Sequence, residues 1–267
     1  PLTTSALAGT LAAMRTLAEF TQESNPLARH YSRFRVAERL LLTGHSHQAW
    51  PDTALDGQLE AWSDAAEHVD DKWERAAGKA ERVRRGFALL LGDRAGDIAL
   101  GQNTHELLIR FLSALPLRER PRLVTTDGEF HTIRRQLDRL AEERVVEVVK
   151  VEARPADTLA ERLVAEVNQH TAAVLTSSVL FGNAHIVSGL DRVLAACRRV
   201  GAELLVDAYH QINVVPFSLA DDGLSDAFVM GGGYKYCQLG EGNCFLRVPT
   251  GRAHLRPVVT GWFSEFA

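Results

Sequence analysis

"AAVLTSSVLFGNAHIVSGLDRVLAACRRVGAELLVDAY", from Ala172 to Tyr209, reads as a strand, a helix and a second strand. "AAVLTSSV" and "AELLVDAY" are apolar runs of strand length. Between them "GLDRVLAACRRVG" has the mixed pattern of an amphipathic helix closed by Gly201. Two strands joined through a helix pair in parallel, and a parallel sheet needs cover on both faces.

The same alternation extends in both directions. Upstream lie "DIAL" (97–100), the helix "NTHELLIRFLSAL" (103–115), "RLVTT" (122–126), the helix "FHTIRRQLDRLAEE" (130–143), "VVEVVKVE" (145–152) and the helix "DTLAERLVAEVNQ" (157–169). Downstream, "DAFVMGG" (226–232) and "NCFLRVP" (243–249) are further strands. The expectation is an α/β fold with a mostly parallel sheet flanked by helices. Asn103 is placed to cap its helix. Asp52 or Thr53 is expected to cap a helix running to about His68, and Gly92 to stop the one in "ERAAGKAERVRRGFALLLG" (74–92). The first 40 or so residues read as helix with a polar break at "TQESNP", followed by the polar loop of "LLLTGHSHQAWPD" (40–52).

A net charge of −4, with acids interleaved among the arginines, supplies no basic field for nucleic acid or an anionic membrane. Three cysteines (Cys197, Cys237 and Cys244) lack metal-type spacing, so no metal is expected and a reduced, cytoplasmic chain is. No run of about 18 apolar residues is present to span a bilayer.

In open α/β sheets ligands gather beyond the carboxyl ends of the strands, so the residues just after each strand carry the function. "IALGQNTHELL" offers helix-start N–H groups with Thr104 and His105, suited to a phosphate, although Asn103 also reads as a plain helix cap. Phe130 follows a strand and a turn, where it stacks on a flat ligand or caps the core. Asp207 ends a strand, a partly buried carboxylate that needs a cation or a donor, and His210 lies three residues on. Lys235 follows "VMGGG", whose glycines are expected to let the backbone approach a ligand. Desolvation there lowers the pKa of an amine and makes it nucleophilic. A lysine, a buried aspartate, an aromatic stacker and a phosphate cup together suit pyridoxal 5'-phosphate (PLP).

"GQNTHELL", "GEFHTIRRQ", "VDAYHQINVVPF", "SDAFVMGGGYKY", "LGEG" and "PVVTGWF", in that order, resemble the large domain of fold-type I PLP-dependent enzymes. The likeness is to their class V aminotransferase branch, and most to kynureninases, from about Leu41 onward. The resemblance implies residues 1–48 as an N-terminal segment with a substrate loop (Gly44, His45, Ser46) and 49–267 as the PLP-binding domain. It implies Lys235 as the Schiff-base lysine, Asp207 as the pyridine-nitrogen partner and His210 beside it. Thr104 and His105 would line the phosphate cup, Tyr234 would contact phosphate and move protons, Phe130 would stack, and Trp262 would donate its indole N–H to phosphate. It also implies a homodimer. Two departures stand out. Relatives often carry Ser or Thr shortly before the lysine to bind phosphate, where this chain has Gly232 and Gly233. The family's small C-terminal domain, with its carboxylate-gripping arginine, is not found before the last residue, Ala267. Three activities fit: a kynureninase-like hydrolase acting on an amino acid, another class V reaction such as transamination or epimerisation, or a non-catalytic binding protein on this fold.

Overall fold

The strand-length runs form seven strands in one sheet. The structure, a computed structural model, describes residues 25–38, 41–93, 96–252 and 254–261. The strands are β1 (Asp97–Gly101), β2 (Arg122–Thr126), β3 (Glu147–Val151), β4 (Thr171–Ser177), β5 (Glu203–Asp207), β6 (Phe228–Gly232) and β7 (Cys244–Val248). Their order is β1-β7-β6-β5-β4-β2-β3. β6, β5, β4, β2 and β3 run parallel, while β7 is antiparallel to both β6 and β1.

Among the described residues six α-helices accompany them: α1 (Asp52–Glu67), α2 (Lys72–Leu90), α3 (Thr104–Ala114), α4 (His131–Glu142), α5 (Leu159–Glu166) and α6 (Leu190–Val200). The period-two side-chain alternation of the central strands feeds two separate cores. Val174, Leu204 and Val206 face one core, with Phe87 of α2, Leu163 of α5 and Val193 of α6. Ala173, Leu175 and Leu205 face the other, with Leu108 of α3 and Leu137 of α4. Every residue of β4 is buried, as a strand covered on both faces requires.

Local signals act as expected at several ends. Asn103 Oδ1 accepts the Glu106 N–H at 2.9 Å and caps α3. Gly201 ends α6 at φ 68°, a left-handed conformation that an L side chain resists.

The N-terminal segment differs from expectation. Residues 1–24 lie outside the described residues. The next stretch makes three short 3-10 turns, Ala28–His30, Ser32–Phe34 and Val36–Glu38, rather than one helix. Arg35 sits at φ 53° between the last two and breaks any continuous helix. Asp52 does not cap its own helix, and neither does Thr53; Pro51 holds the N-cap position without a side-chain bond. Asp52 instead accepts from Ser32 N (3.0 Å), Ser32 Oγ (2.7 Å) and Arg33 N (3.0 Å), tying the 3-10 segment to α1. Among the described residues no helix is long and apolar enough to cross a membrane.

Candidate active site

The carboxyl ends of β2, β4, β5 and β6 are Thr126, Ser177, Asp207 and Gly232, and β1 ends on the same edge at Gly101. Register places Ser177 directly beside Asp207, and Asp207 beside Met230. The turns leaving these strands enclose a cavity of about 360 Å³. Its walls include Thr104, Phe130, Thr132, Asp207, Tyr209, His210, Tyr234, Lys235 and Cys244. That volume suits a small organic ligand. A larger groove of about 850 Å³ between α1, α2 and residues 239–241 is lined by Trp50, Leu55 and Trp73. Chemistry, not size, selects the smaller cavity.

Lys235 is only 4% exposed. Its Nζ lies 2.9 Å from His210 Nε2, 5.0 Å from the centre of the Phe130 ring, 4.6 Å from that of Tyr209 and 5.8 Å from that of Tyr234. Burial pushes the Lys235 amine below its usual pKa, and Asp207 opposes that shift. Burial, then Lys235 and His45, push His210 down to about 4. A neutral imidazole therefore faces the lysine and can accept a hydrogen bond from it. Asp207 is pushed up to about 6 by burial, against the Tyr209 N–H that it accepts at 2.9 Å and the charge of Lys235.

The three glycines before Lys235 leave space that neighbouring side chains enter. A Cβ at Gly231 would lie 2.9 Å from Phe245 Cε1. At Gly232 it would lie 2.5 Å from Tyr209 Cζ, and at Gly233 2.6 Å from Leu239 Cδ1. They make room for the chain's own side chains. The Lys235 turn then packs tightly: Leu239 N donates to Gly233 O (3.0 Å), and Gly233 N to Asn243 O (2.7 Å).

Six of the expected residues, Thr104, Phe130, Asp207, His210, Tyr234 and Lys235, are brought together around this cavity. His105 is not; it is exposed, because the second residue of α3 points away from the face that covers the sheet. Gly44, His45 and Ser46 do not line the cavity either. A Cβ on Gly44 would be 3.5 Å from Tyr236 Cε1, and Tyr236 meets the His210 ring at 6.4 Å, so the loop borders the site. Trp262 lies outside the described residues.

Sequence reading missed Glu129, Thr132, Ser177 and Tyr209. Glu129 is sealed beneath the cavity, 1% exposed. It accepts from Thr126 Oγ1 (2.7 Å), Ser177 Oγ (2.6 Å) and Ser177 N (3.2 Å). Burial, and more weakly Asp207, raise its pKa to about 7 despite these donors. An acid three residues past a strand, in "TTDGEF", was the available signal. Among the described residues no group of His, Cys, Asp and Glu is arranged to hold a metal.

No model of a known protein family matches the chain. Kynureninase of Xanthomonas oryzae pv. oryzae (strain PXO99A) is 26% identical over 199 residues, 68% of this chain and 46% of that protein. An uncharacterized aminotransferase of Bacillus subtilis (strain 168), YcbU, is 22% identical over 214 residues, 78% of this chain and 55% of that protein. The chain thus spans about half the length of the curated relatives it matches. Among solved structures, an apo cysteine desulfurase from Thermococcus onnurineus NA1 superposes with a TM-score of 0.69 at 16% identity, covering 94% of this chain and 61% of that one. A C-DES mutant with glycine covalently linked to its PLP cofactor gives a TM-score of 0.72 at 16% identity, covering 89% and 63%. The fold is that of the fold-type I PLP-dependent enzymes.

Proposed function

From a kynureninase-like chain of the class V branch, we propose that this cavity binds PLP through Lys235 and serves an enzyme acting on an amino acid. The observation that carries the reading is the Lys235 amine, buried between the Phe130 and Tyr209 rings and 2.9 Å from His210. The residues fit the cofactor. A flat ring is served by Phe130, a pyridine nitrogen by the buried Asp207, and a phosphate by Thr104 and the N–H groups that open α3.

When bound, PLP supplies an electron-withdrawing ring that stabilises negative charge on the amino acid's α-carbon. The chain's own groups do the rest. Asp207, on the cavity wall, would hold the proton of the cofactor's ring nitrogen through its charge. Lys235 would hold the cofactor covalently, and its amine, when free, would take the substrate's α-proton. His210, neutral and within hydrogen-bond reach, accepts a hydrogen bond from Lys235 and orients its amine. Tyr234 shares the cavity wall and stands ready to pass a proton. The loop of Gly44, His45 and Ser46 borders the entrance and contacts the substrate.

The finer reading is a kynureninase-like hydrolase, in which water attacks a side-chain carbonyl and the Cβ–Cγ bond breaks to release alanine. Its support is the sequence likeness to kynureninase and an aromatic Phe130 beside the lysine. A second reading, transamination, draws on the likeness to the Bacillus aminotransferase. We place the protein in the cytoplasm as a homodimer. The test is product analysis with PLP and either kynurenine or simple amino acids. Alanine released from kynurenine supports hydrolysis, a keto acid supports transamination, and absence of any PLP-dependent product overturns both.

A further inference from the structure

Gly232 closes β6, three residues before Lys235, and its backbone lies outside the left-handed region. Its lack of a side chain is therefore explained by space, not by conformation. The space is filled by another residue. A Cβ there would lie 2.5 Å from Tyr209 Cζ, closer still to the Tyr209 hydroxyl oxygen, and 2.7 Å from Cys244 Sγ. The phenol of Tyr209, delivered from the turn after β5, thus puts its hydroxyl where the side chain of residue 232 would begin.

Tyr209 belongs to the cavity wall and is 7% exposed. Its hydroxyl's recorded partner is the Cys244 thiol at 3.7 Å, a weak donor and acceptor. Cys244 shares this cavity wall with Thr104, the first residue of α3. The phenol therefore stands at the foot of the helix whose open N–H groups favour an anion. Burial holds it protonated, so it can only donate to an anionic oxygen. A buried tyrosine hydroxyl normally finds a stronger acceptor than a thiol.

Resting on the assignment of PLP to this cavity, we propose that Tyr209 is a phosphate ligand, its hydroxyl donating to the cofactor's phosphate in place of a side chain at position 232. Tyr209 and Gly232 form one unit: the glycine admits the phenol, and the phenol supplies the hydroxyl that the glycine lacks.

The test compares binding of PLP and of pyridoxal, which lacks the phosphate, by absorbance titration of cofactor-stripped parent and Tyr209→Phe. The substitution keeps the ring and removes only the donor. PLP should bind about tenfold or more weakly to Tyr209→Phe, the scale of a lost hydrogen bond to a charged group, with pyridoxal unchanged. Gly232→Ser alone should weaken PLP by crowding the phenol. The double variant Tyr209→Ala with Gly232→Ser should bind PLP more tightly than Tyr209→Ala alone. Equal loss for PLP and pyridoxal, or no loss for PLP, overturns the phosphate role and leaves Tyr209 as packing. Failure of the parent to bind PLP in a Lys235-dependent way sinks the cofactor assignment instead, so the two failures are distinct.

Discussion

The hydroxyl of Ser177 lies 2.6 Å from Glu129 Oε2, and Ser177 is the β4 residue paired with Asp207 on β5. A second buried acid therefore stands behind the one assigned to the cofactor, joined to it through a single serine. Burial raises the pKa values of both, and the charge of Asp207 adds a smaller upward push on Glu129.

This pair should leave a mark on stability. Asp207 titrates near 6 and Glu129 near 7 in the fold, above their ordinary 3.8 and 4.5. The folded chain binds more protons than the unfolded one over that interval, so both groups make stability fall as pH rises through it. His210, lowered to about 4 from 6.5, acts in the opposite sense below its unfolded value. We therefore predict that Glu129→Gln, compared with the parent in cofactor-free thermal melts, removes part of the decline between about pH 5 and pH 7.5. An unchanged pH slope would show that Glu129 is ionised throughout.

Lys235→Ala should abolish the visible absorbance of bound PLP. Borohydride treatment of the parent should then place the pyridoxyl label on the Lys235 peptide. Lys150 is a fair control, since it is engaged with Asp138 on the exposed side of β3. Label on Lys150, or absorbance that survives in the variant, contradicts the assignment.

Asp207→Asn keeps an oxygen to accept the Tyr209 N–H at 2.9 Å but removes the charge. Turnover should fall by about a hundredfold or more, the usual scale for losing one preorganised electrostatic contact, with little change in melting temperature. Near-normal turnover would rule out a role for its charge.

Arg247 is 1% exposed and pairs with Asp93 at 2.6 Å while donating to the carbonyls of Ser225 (2.7 Å) and Ala227 (2.9 Å). Arg247→Met leaves a buried carboxylate and two carbonyls without their cation, so it should destabilise the fold by about 3 kcal/mol or more. The double variant Arg247→Met with Asp93→Asn should recover part of that loss. Equal chemical-denaturation midpoints for parent and single variant would refute it.

Periodicity in the sequence determined the sheet, because apolar strands and amphipathic helices bury their faces in only one alternating arrangement. That arrangement sends the ends of its parallel strands to one edge. Asp207, Phe130, Thr104 and Lys235 were legible for this reason: each ends or follows a strand, and the ends of parallel strands converge on one edge. His105 was misread because neighbouring residues on a helix point in different directions, and only docking of α3 decides which one faces the cavity. Asp52 carried a capping signal, but its carboxylate found closer donors in a segment twenty residues away. The partners of Glu129 and the volume that Tyr209 fills could emerge only from the tertiary structure. A buried acid acquires its partners from β2 and β4 at once, and a phenol on one strand's turn can fill the space left by a glycine on another. Which side chain occupies which volume is settled across elements, and no one-dimensional spacing records it.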